Sequence, residues 1–161
     1  MIGRGADALV ADLERERDAL FASLAAVEPG SMTTPGLVGE WSARELIAHL
    51  GYWVGHGAES IHAVESGRAE EFGADRPSVD EVNATVARVA ASTPLATVRK
   101  REAGSVDALI ERLRSVDPVV LATFLPHHGI TLEEGIREDG PNHYREHAEE
   151  LQRVLAEPAR G

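Results

Sequence analysis

Three capping boxes mark where helices begin in this sequence. In a capping box, a Ser or Thr side chain and a Glu three residues later each bond a free backbone amide of the first helical turn. Each of the three precedes apolar residues at helical spacing, which predicts a protein built from helices. The boxes are Ser42 with Glu45, Ser78 with Glu81, and Thr131 with Glu134.

Apolar periodicity extends the helical prediction to the first half of the chain. A first helix is expected from Ala6 to Val27, where leucines recur at helical spacing among charged residues. The helix that follows the first capping box contains Gly51, Gly55 and Gly57. These glycines either make its middle irregular or let another backbone approach closely.

Helix breakers interrupt the second half of the chain. Pro94 and Gly104-Ser105 offer alternative boundaries before the fourth helix, and Pro118 is expected to kink that helix. Gly140-Pro141 is expected to kink or split the last helix. Together the segments predict an all-α protein, an antiparallel four-helix bundle with long inter-helix connections that forms one domain over residues 1–161.

The composition supports helices packed on helices and limits the available chemistry. The chain of 161 residues has two Trp, two Tyr and three Phe, so its core is expected to consist of Leu, Val, Ile and Ala. It has no cysteine, which excludes disulfides, thiolate metal ligands and a cysteine nucleophile.

Charge and hydropathy narrow the expected partners. The net charge of -11 disfavours nucleic-acid binding, since such a surface repels phosphates. No stretch approaches the roughly 18–20 apolar residues that a membrane span requires. Arg4, Asp7 and Asp12 leave no apolar signal-peptide region near the start, so a cytoplasmic location is expected.

Three of the seven histidines are predicted to face the core. His143 and His147 are four residues apart, so they share one face of the last helix at the border of its apolar arc. His49 borders the apolar arc of the second helix in the same way. Three neutral imidazoles with one open position form a catalytic type of metal site. The alternative is a structural role, because a single inward histidine is often a hydrogen-bonded core residue.

Further polar residues on these two helices are weaker candidates for the chemistry. His56 lies on the same side of the second helix as His49, where it could line a pocket. Glu146 and Glu150 lie just outside the histidine edge of the last helix, where either could accept a hydrogen bond from a liganding imidazole or act as a base. The alternative for all three is a solvated polar flank. His62, His127 and His128 are expected at the surface or in loops.

Two sequence blocks and one short motif carry a family resemblance. The first block is residues 40–50, EWSARELIAHL, followed by Trp53. The second is residues 136–151, which contain the sequence HYREH. Asp80 and Asn83 form a D-x-x-N at the start of the third helix. Together they resemble the DinB/YfiT superfamily, in the branch near the N-terminal domain of mycothiol-dependent maleylpyruvate isomerase.

The resemblance implies a four-helix bundle whose three histidines bind a divalent metal, usually zinc or nickel. The matching positions here are His49, His143 and His147. It also implies a homodimer, and relatives include metal-dependent S-transferases that use a small thiol, hydrolases and isomerases. Gly140-Pro141 departs from the family pattern, because relatives continue the helix there.

The expected function is therefore that of a metal-dependent enzyme. Its ion would lower the pKa of a bound thiol or of bound water, and the deprotonated ligand would attack a small electrophilic substrate. The resemblance implies that the thiol is mycothiol. Trp53, Asn83 and Tyr144 are expected to line the substrate pocket, unless they serve packing alone. Two alternatives stay open: a non-enzymatic metal- or ligand-binding bundle for sequestration or resistance, and a structural dimeric bundle without activity.

Overall fold

A computed structural model describes residues 4–157, so the expected domain limits at residues 1 and 161 lie outside the described range. The described chain is mainly helical, with one short two-stranded hairpin. The elements in chain order are α1 (Arg4–Leu24), a 3-10 turn (Pro29–Ser31), α2 (Ala43–Glu65), α3 (Val79–Ala91), α4 (Leu95–Ser115), α5 (Pro118–Leu121), β1 (Phe124–Leu125), β2 (Ile130–Thr131), α6 (Leu132–Arg137), a π segment (Glu138–Asn142) and α7 (His143–Ala156).

The long helices pack as the predicted all-α bundle. α2 packs along α4 and α3, α1 packs along α7, and the π segment contacts both α1 and α2. The core consists mainly of leucine, isoleucine, valine and alanine, as the composition predicts, and Tyr144 is the largest fully buried side chain. β1 and β2 pair antiparallel, with Leu125 opposite Ile130. Within residues 4–157, no helix has both the length and the apolar character to cross a membrane.

Two of the three predicted capping boxes form as expected. The Ser78 hydroxyl accepts a hydrogen bond from the Glu81 amide at 3.2 Å, and Thr131 and Glu134 pair in the same reciprocal way. The first box is different: the Ser42 hydroxyl donates to the Glu45 carboxylate instead of accepting from the backbone. Both side chains are buried, and a buried carboxylate needs a donor, which explains the change.

Glycines allow α2 and α4 to pack closely. A Cβ atom on Gly51 would lie 3.0 Å from Cα of Glu102, and one on Gly55 would lie 3.4 Å from Oγ of Ser105. α2 is nevertheless one uninterrupted helix. Of the two roles expected for these glycines, close approach of another helix is therefore the one observed.

Of the two possible helix starts in the central region, at Pro94 and at Gly104-Ser105, the structure has the first. α4 begins directly after Pro94 and runs through Gly104-Ser105 without a break. Buried residues on both sides of Gly104, such as Val98 and Leu109, hold one face of the helix in the core, and this packing outweighs the low helix propensity of glycine. Pro118 does not kink α4, which ends earlier. It is the first residue of α5, where its missing N–H has no cost.

The predicted break at Gly140-Pro141 is a π turn. Both residues are buried within the π segment, which joins α6 to α7 in one continuous helical run. Proline lacks the N–H of a regular helical bond, and the wider turn accommodates this defect. The π segment therefore sets the angle at which α7 presents His143 and His147 to the bundle.

Candidate metal centre

The structure brings together the three histidines that helix periodicity predicted to face the core. His49 lies on α2, His143 is the first residue of α7, and His147 lies one turn later. The Nε2 atoms of His49 and His143 are 2.8 Å apart, and one nitrogen of each of the three rings lies within 4.8 Å of the others. The ring centroids are 4.6 to 5.3 Å apart.

Burial keeps two of these imidazoles neutral. The pKa of His49 is lowered to about 3, mainly because burial disfavours the charged ring, with further contributions from His143 and His147. The pKa of His143 is lowered to about 4, again by burial and then by the neighbouring His147. A neutral imidazole has a free lone pair on one ring nitrogen, which is the form that binds a metal ion.

Two further side chains, Glu150 and Trp41, contact rings of the histidine cluster. Nδ1 of His147 lies 3.0 Å from Oε2 of Glu150, so the carboxylate fixes the hydrogen on Nδ1 and leaves Nε2 free. Glu146, the other predicted glutamate, is exposed. The indole of Trp41 packs 4.7 Å from the His49 ring. Of the two predicted glutamates, Glu150 is thus the one that contacts the cluster.

A cavity of 430 Å³ opens onto the three histidines. Trp53 and Asn83 line it, and the indole Nε1 of Trp53 donates a 2.9 Å hydrogen bond to Oδ1 of Asn83. This bond orients the Asn83 amide, whose NH₂ group keeps its donors for a ligand. Trp41, Val79, Glu138 and Asp139 complete the lining.

Tyr144 does not line this cavity, contrary to the prediction. Its side chain is fully buried, and its hydroxyl donates a 2.6 Å hydrogen bond to Oε1 of Glu102. The physical reason is the helix angle: Tyr144 follows His143 by one residue, so it points about 100° away from it, into the core between α1 and α4.

Glu138 and Asp139 are cavity residues that the sequence analysis did not predict. Both belong to the π segment, and their orientation depends on a turn that regular helical periodicity does not describe. Asp139 and His143 are four residues apart, but the π turn lies between them, so the i, i+4 rule of a regular helix gave no signal for Asp139.

His56 lies outside the histidine cluster and reaches its cavity through Asp139. Nδ1 of His56 is 2.7 Å from Oδ2 of Asp139, and Nε2 contacts the guanidinium of Arg76. A guanidinium can only donate, so Nε2 accepts and the Nδ1 hydrogen points at Asp139. Arg76 also lies over the Trp53 ring, 5.2 Å from its centroid. His56 thus supports the wall of the cavity rather than lining it.

The other three histidines lie at the periphery. His62 and His127 are exposed, as expected. His128 lies in the hairpin loop, but its ring is half-buried and stacks on Phe72 at 5.2 Å between centroids. His128 thus lies in a loop, as expected, but its ring is not fully exposed.

The donor set of the cluster fits a divalent ion that prefers nitrogen ligands. Three imidazoles converge, two of them are held neutral by burial, and the third has its Nδ1 hydrogen fixed by a carboxylate. Zinc and nickel accept such ligands, and three protein ligands leave coordination positions for another molecule. The cluster could therefore hold one metal ion with room for a ligand.

Comparison with known families gives a family match. Residues 4–129 match the family described as mycothiol maleylpyruvate isomerase N-terminal domain. The matched range covers most of the chain and includes His49, Trp53 and Asn83, but it ends before His143 and His147. No curated protein and no solved structure matched the chain.

Proposed function

Since the chain belongs to the mycothiol maleylpyruvate isomerase N-terminal domain family, we propose that it is a metal-dependent enzyme acting on a small electrophile. In this proposal His49, His143 and His147 hold one zinc or nickel ion, and the nucleophile is a low-molecular-weight thiol. The observation that supports it is the convergence of three imidazoles from two distant parts of the chain beside a cavity.

The chain's own residues prepare the nitrogen ligands. Burial favours neutral imidazoles at His49 and His143, so both have lone pairs near neutral pH. Glu150 holds the Nδ1 hydrogen of His147 and so leaves Nε2 as the nitrogen that would bind the ion. When bound, a divalent ion supplies a Lewis acid that lowers the pKa of a thiol or water ligand.

A nucleophile from outside the protein is part of the proposal. The sequence has no cysteine, so the chain supplies no thiolate of its own. The family name refers to mycothiol, which makes a small thiol the first nucleophile to test. An external thiol gives S-transfer, and water gives hydrolysis.

The cavity walls would bind and orient the substrate. Trp41 and Trp53 would provide aromatic walls for the substrate, and the Asn83 amide offers hydrogen-bond donors to a substrate oxygen. A volume of 430 Å³ is in the range of about 300–1,000 Å³ that small-molecule sites occupy. We include in the proposal the cytoplasmic location and the homodimeric state that the family resemblance implies.

Elemental analysis by mass spectrometry on tag-free protein tests the metal site. We expect about one zinc or nickel ion per chain, lost in His49→Ala and in His143→Ala. His62→Ala is the matched control, because His62 is an exposed histidine of α2 and its removal should leave the metal content unchanged. Protein that contains no metal and takes up neither zinc nor nickel would contradict the proposal.

A panel of small electrophiles, assayed with and without mycothiol, tests the reaction. Turnover that requires both metal and thiol is the expected result. Turnover that requires only the metal would identify a hydrolase. Stoichiometric binding of an electrophile without product would show that the protein sequesters the electrophile and does not convert it.

A further inference from the structure

A second and larger cavity opens on a different face of α2. It is a cleft of 620 Å³ between α2, α3 and α4. On α2 its wall includes Gly51, Gly55 and Ala58, whereas the histidine cavity uses His49 and Trp53 of the same helix. The helical positions of the two sets differ by more than a quarter turn, so the cleft and the histidine cavity are separate.

The cleft is mainly apolar and partly open. α3 contributes Val86 and Val89, and α4 contributes Ala108. Val89 is 51% exposed, so the cleft is accessible in the single chain. Arg44 holds the end of α3 in place through a 2.8 Å hydrogen bond to the carbonyl of Ala91. The cleft is thus bounded by anchored helices, and its volume is in the range of about 300–1,000 Å³ typical of small-molecule sites.

Two charged residues, Arg101 and Glu102, belong to the wall of the cleft, and they differ in their partners. The Glu102 carboxylate is 1% exposed and accepts two hydrogen bonds from Arg17, at 2.7 and 2.8 Å, and one from Tyr144. The Glu102 carboxylate therefore already has its hydrogen-bond donors, Arg17 of α1 and Tyr144 of α7. Arg101 is exposed and, within residues 4–157, has no carboxylate at ion-pair distance.

Within residues 4–157, the Arg101 guanidinium adds a positive charge without an ion-pair partner to a mainly apolar wall. Its planar fork matches a carboxylate, which it can bind through two parallel hydrogen bonds. Ser105 lies one helical turn from Arg101 on the same wall and adds a hydroxyl donor. The positive charge of Arg101 and the apolar wall of the cleft together fit an anion that has an apolar tail.

We propose that this cleft binds a small apolar carboxylate, such as a medium-chain fatty acid. The carboxylate contacts Arg101, and the hydrocarbon chain lies against Gly51, Gly55 and Val86. This site is independent of the histidine cluster, so it stands or falls separately from the proposed enzymatic function.

Calorimetric titration of the full chain with octanoate tests the role of the charge, with octan-1-ol as the neutral probe. We expect one octanoate per chain and binding of octan-1-ol at least about tenfold weaker. Arg101→Gln should weaken octanoate binding about tenfold or more, because it removes a charge-assisted hydrogen-bond pair. Arg99→Gln is the matched control, since Arg99 is exposed on the same helix outside the cleft lining. Absence of octanoate binding, or equal weakening in both variants, would overturn the proposal.

Filling the cleft tests the location of the site. Ala108→Trp and Thr85→Trp place an indole on opposite walls, at two exposed positions, and both should abolish octanoate binding. Thermal unfolding identifies which variant is folded, and the metal content should stay that of the wild type. A folded variant that still binds octanoate contradicts the proposal. If sedimentation shows a dimer that these variants dissociate, and no octanoate binds, the cleft is an interface between two copies and the proposal is wrong.

Discussion

The Nε2 atoms of His49 and His143 lie 2.8 Å apart, although 94 positions separate the two residues in the sequence. Only one of two facing nitrogens can carry a hydrogen toward the other, so the contact needs either a shared hydrogen or a cation. It also joins α2 to the start of α7.

The metal-free protein is expected to lose stability on acidification. The folded-state pKa values of His49 and His143, about 3 and about 4, lie below the ordinary 6.5, so the unfolded chain binds more protons below pH 6.5. The stabilising contribution is full above pH 6.5 and is lost as the pH falls toward those values. Between pH 7.5 and pH 5, each ring should cost at most about 2 kcal/mol. Urea unfolding with a chelator at the two pH values measures the loss.

The double variant His49→Ala, His143→Ala separates this effect from general acid sensitivity. Its stability should change less between pH 7.5 and pH 5 than that of the wild type. His127→Ala, which removes an exposed histidine, should keep the wild-type difference. An unchanged difference in the double variant would assign the acid sensitivity to other groups.

Glu150→Gln is expected to weaken metal binding at the proposed centre by about 10- to 100-fold. The substitution removes the negative charge that holds the Nδ1 hydrogen of His147 at 3.0 Å. Competition with a chromogenic chelator measures the affinity. Glu146→Gln removes the same charge from an exposed position of the same helix and should have little effect. Equal affinities in the two variants would show that the contact with His147 does not support the metal.

Glu102→Ala is expected to lower the free energy of unfolding by about 3 kcal/mol or more. The carboxylate is the shared acceptor of Arg17 and Tyr144, so its loss leaves two donors without a partner inside the bundle. Burial and the nearby Glu102 charge raise the pKa of Tyr144 well above its usual value, so the hydroxyl remains a donor. Chemical denaturation measures the loss, and Glu111→Ala at an exposed position of α4 should cost much less.

Two glycine substitutions are expected to have opposite effects on stability. Gly51→Ala places a methyl group 3.0 Å from Cα of Glu102 and should destabilise the protein by pushing α2 and α4 apart. Gly104→Ala meets no atom within 4 Å and should stabilise α4 by about 0.5–1 kcal/mol. Thermal unfolding distinguishes the two. Stabilisation by Gly51→Ala would show that the helices have room to adjust.

The helices and the grouping of the histidines could be predicted because both depend on local periodicity. His49 and the pair on α7 border apolar arcs of regular helices, and burying those arcs brings their edges together. The capping boxes at Ser78 and Thr131 are local in the same sense.

Features that depend on tertiary partners could not be predicted in the same way. Tyr144 was expected in the substrate pocket, but its hydroxyl binds Glu102, which lies 42 positions away, and no local pattern connects the two. Ser42 and Glu45 have the sequence of a capping box, and burial changes their hydrogen bonds. Asp139 was missed because the π turn changes the helical register that the prediction assumed.

The π segment holds one residue more in its turn than a regular α turn does. In a regular α-helix, an added or deleted residue turns everything beyond it by roughly 100°. A π turn absorbs such a change locally, because its wider i→i+5 bonds accommodate the extra residue. Gly140 and Pro141 therefore interrupt the regular helix without turning His143 and His147 away from His49.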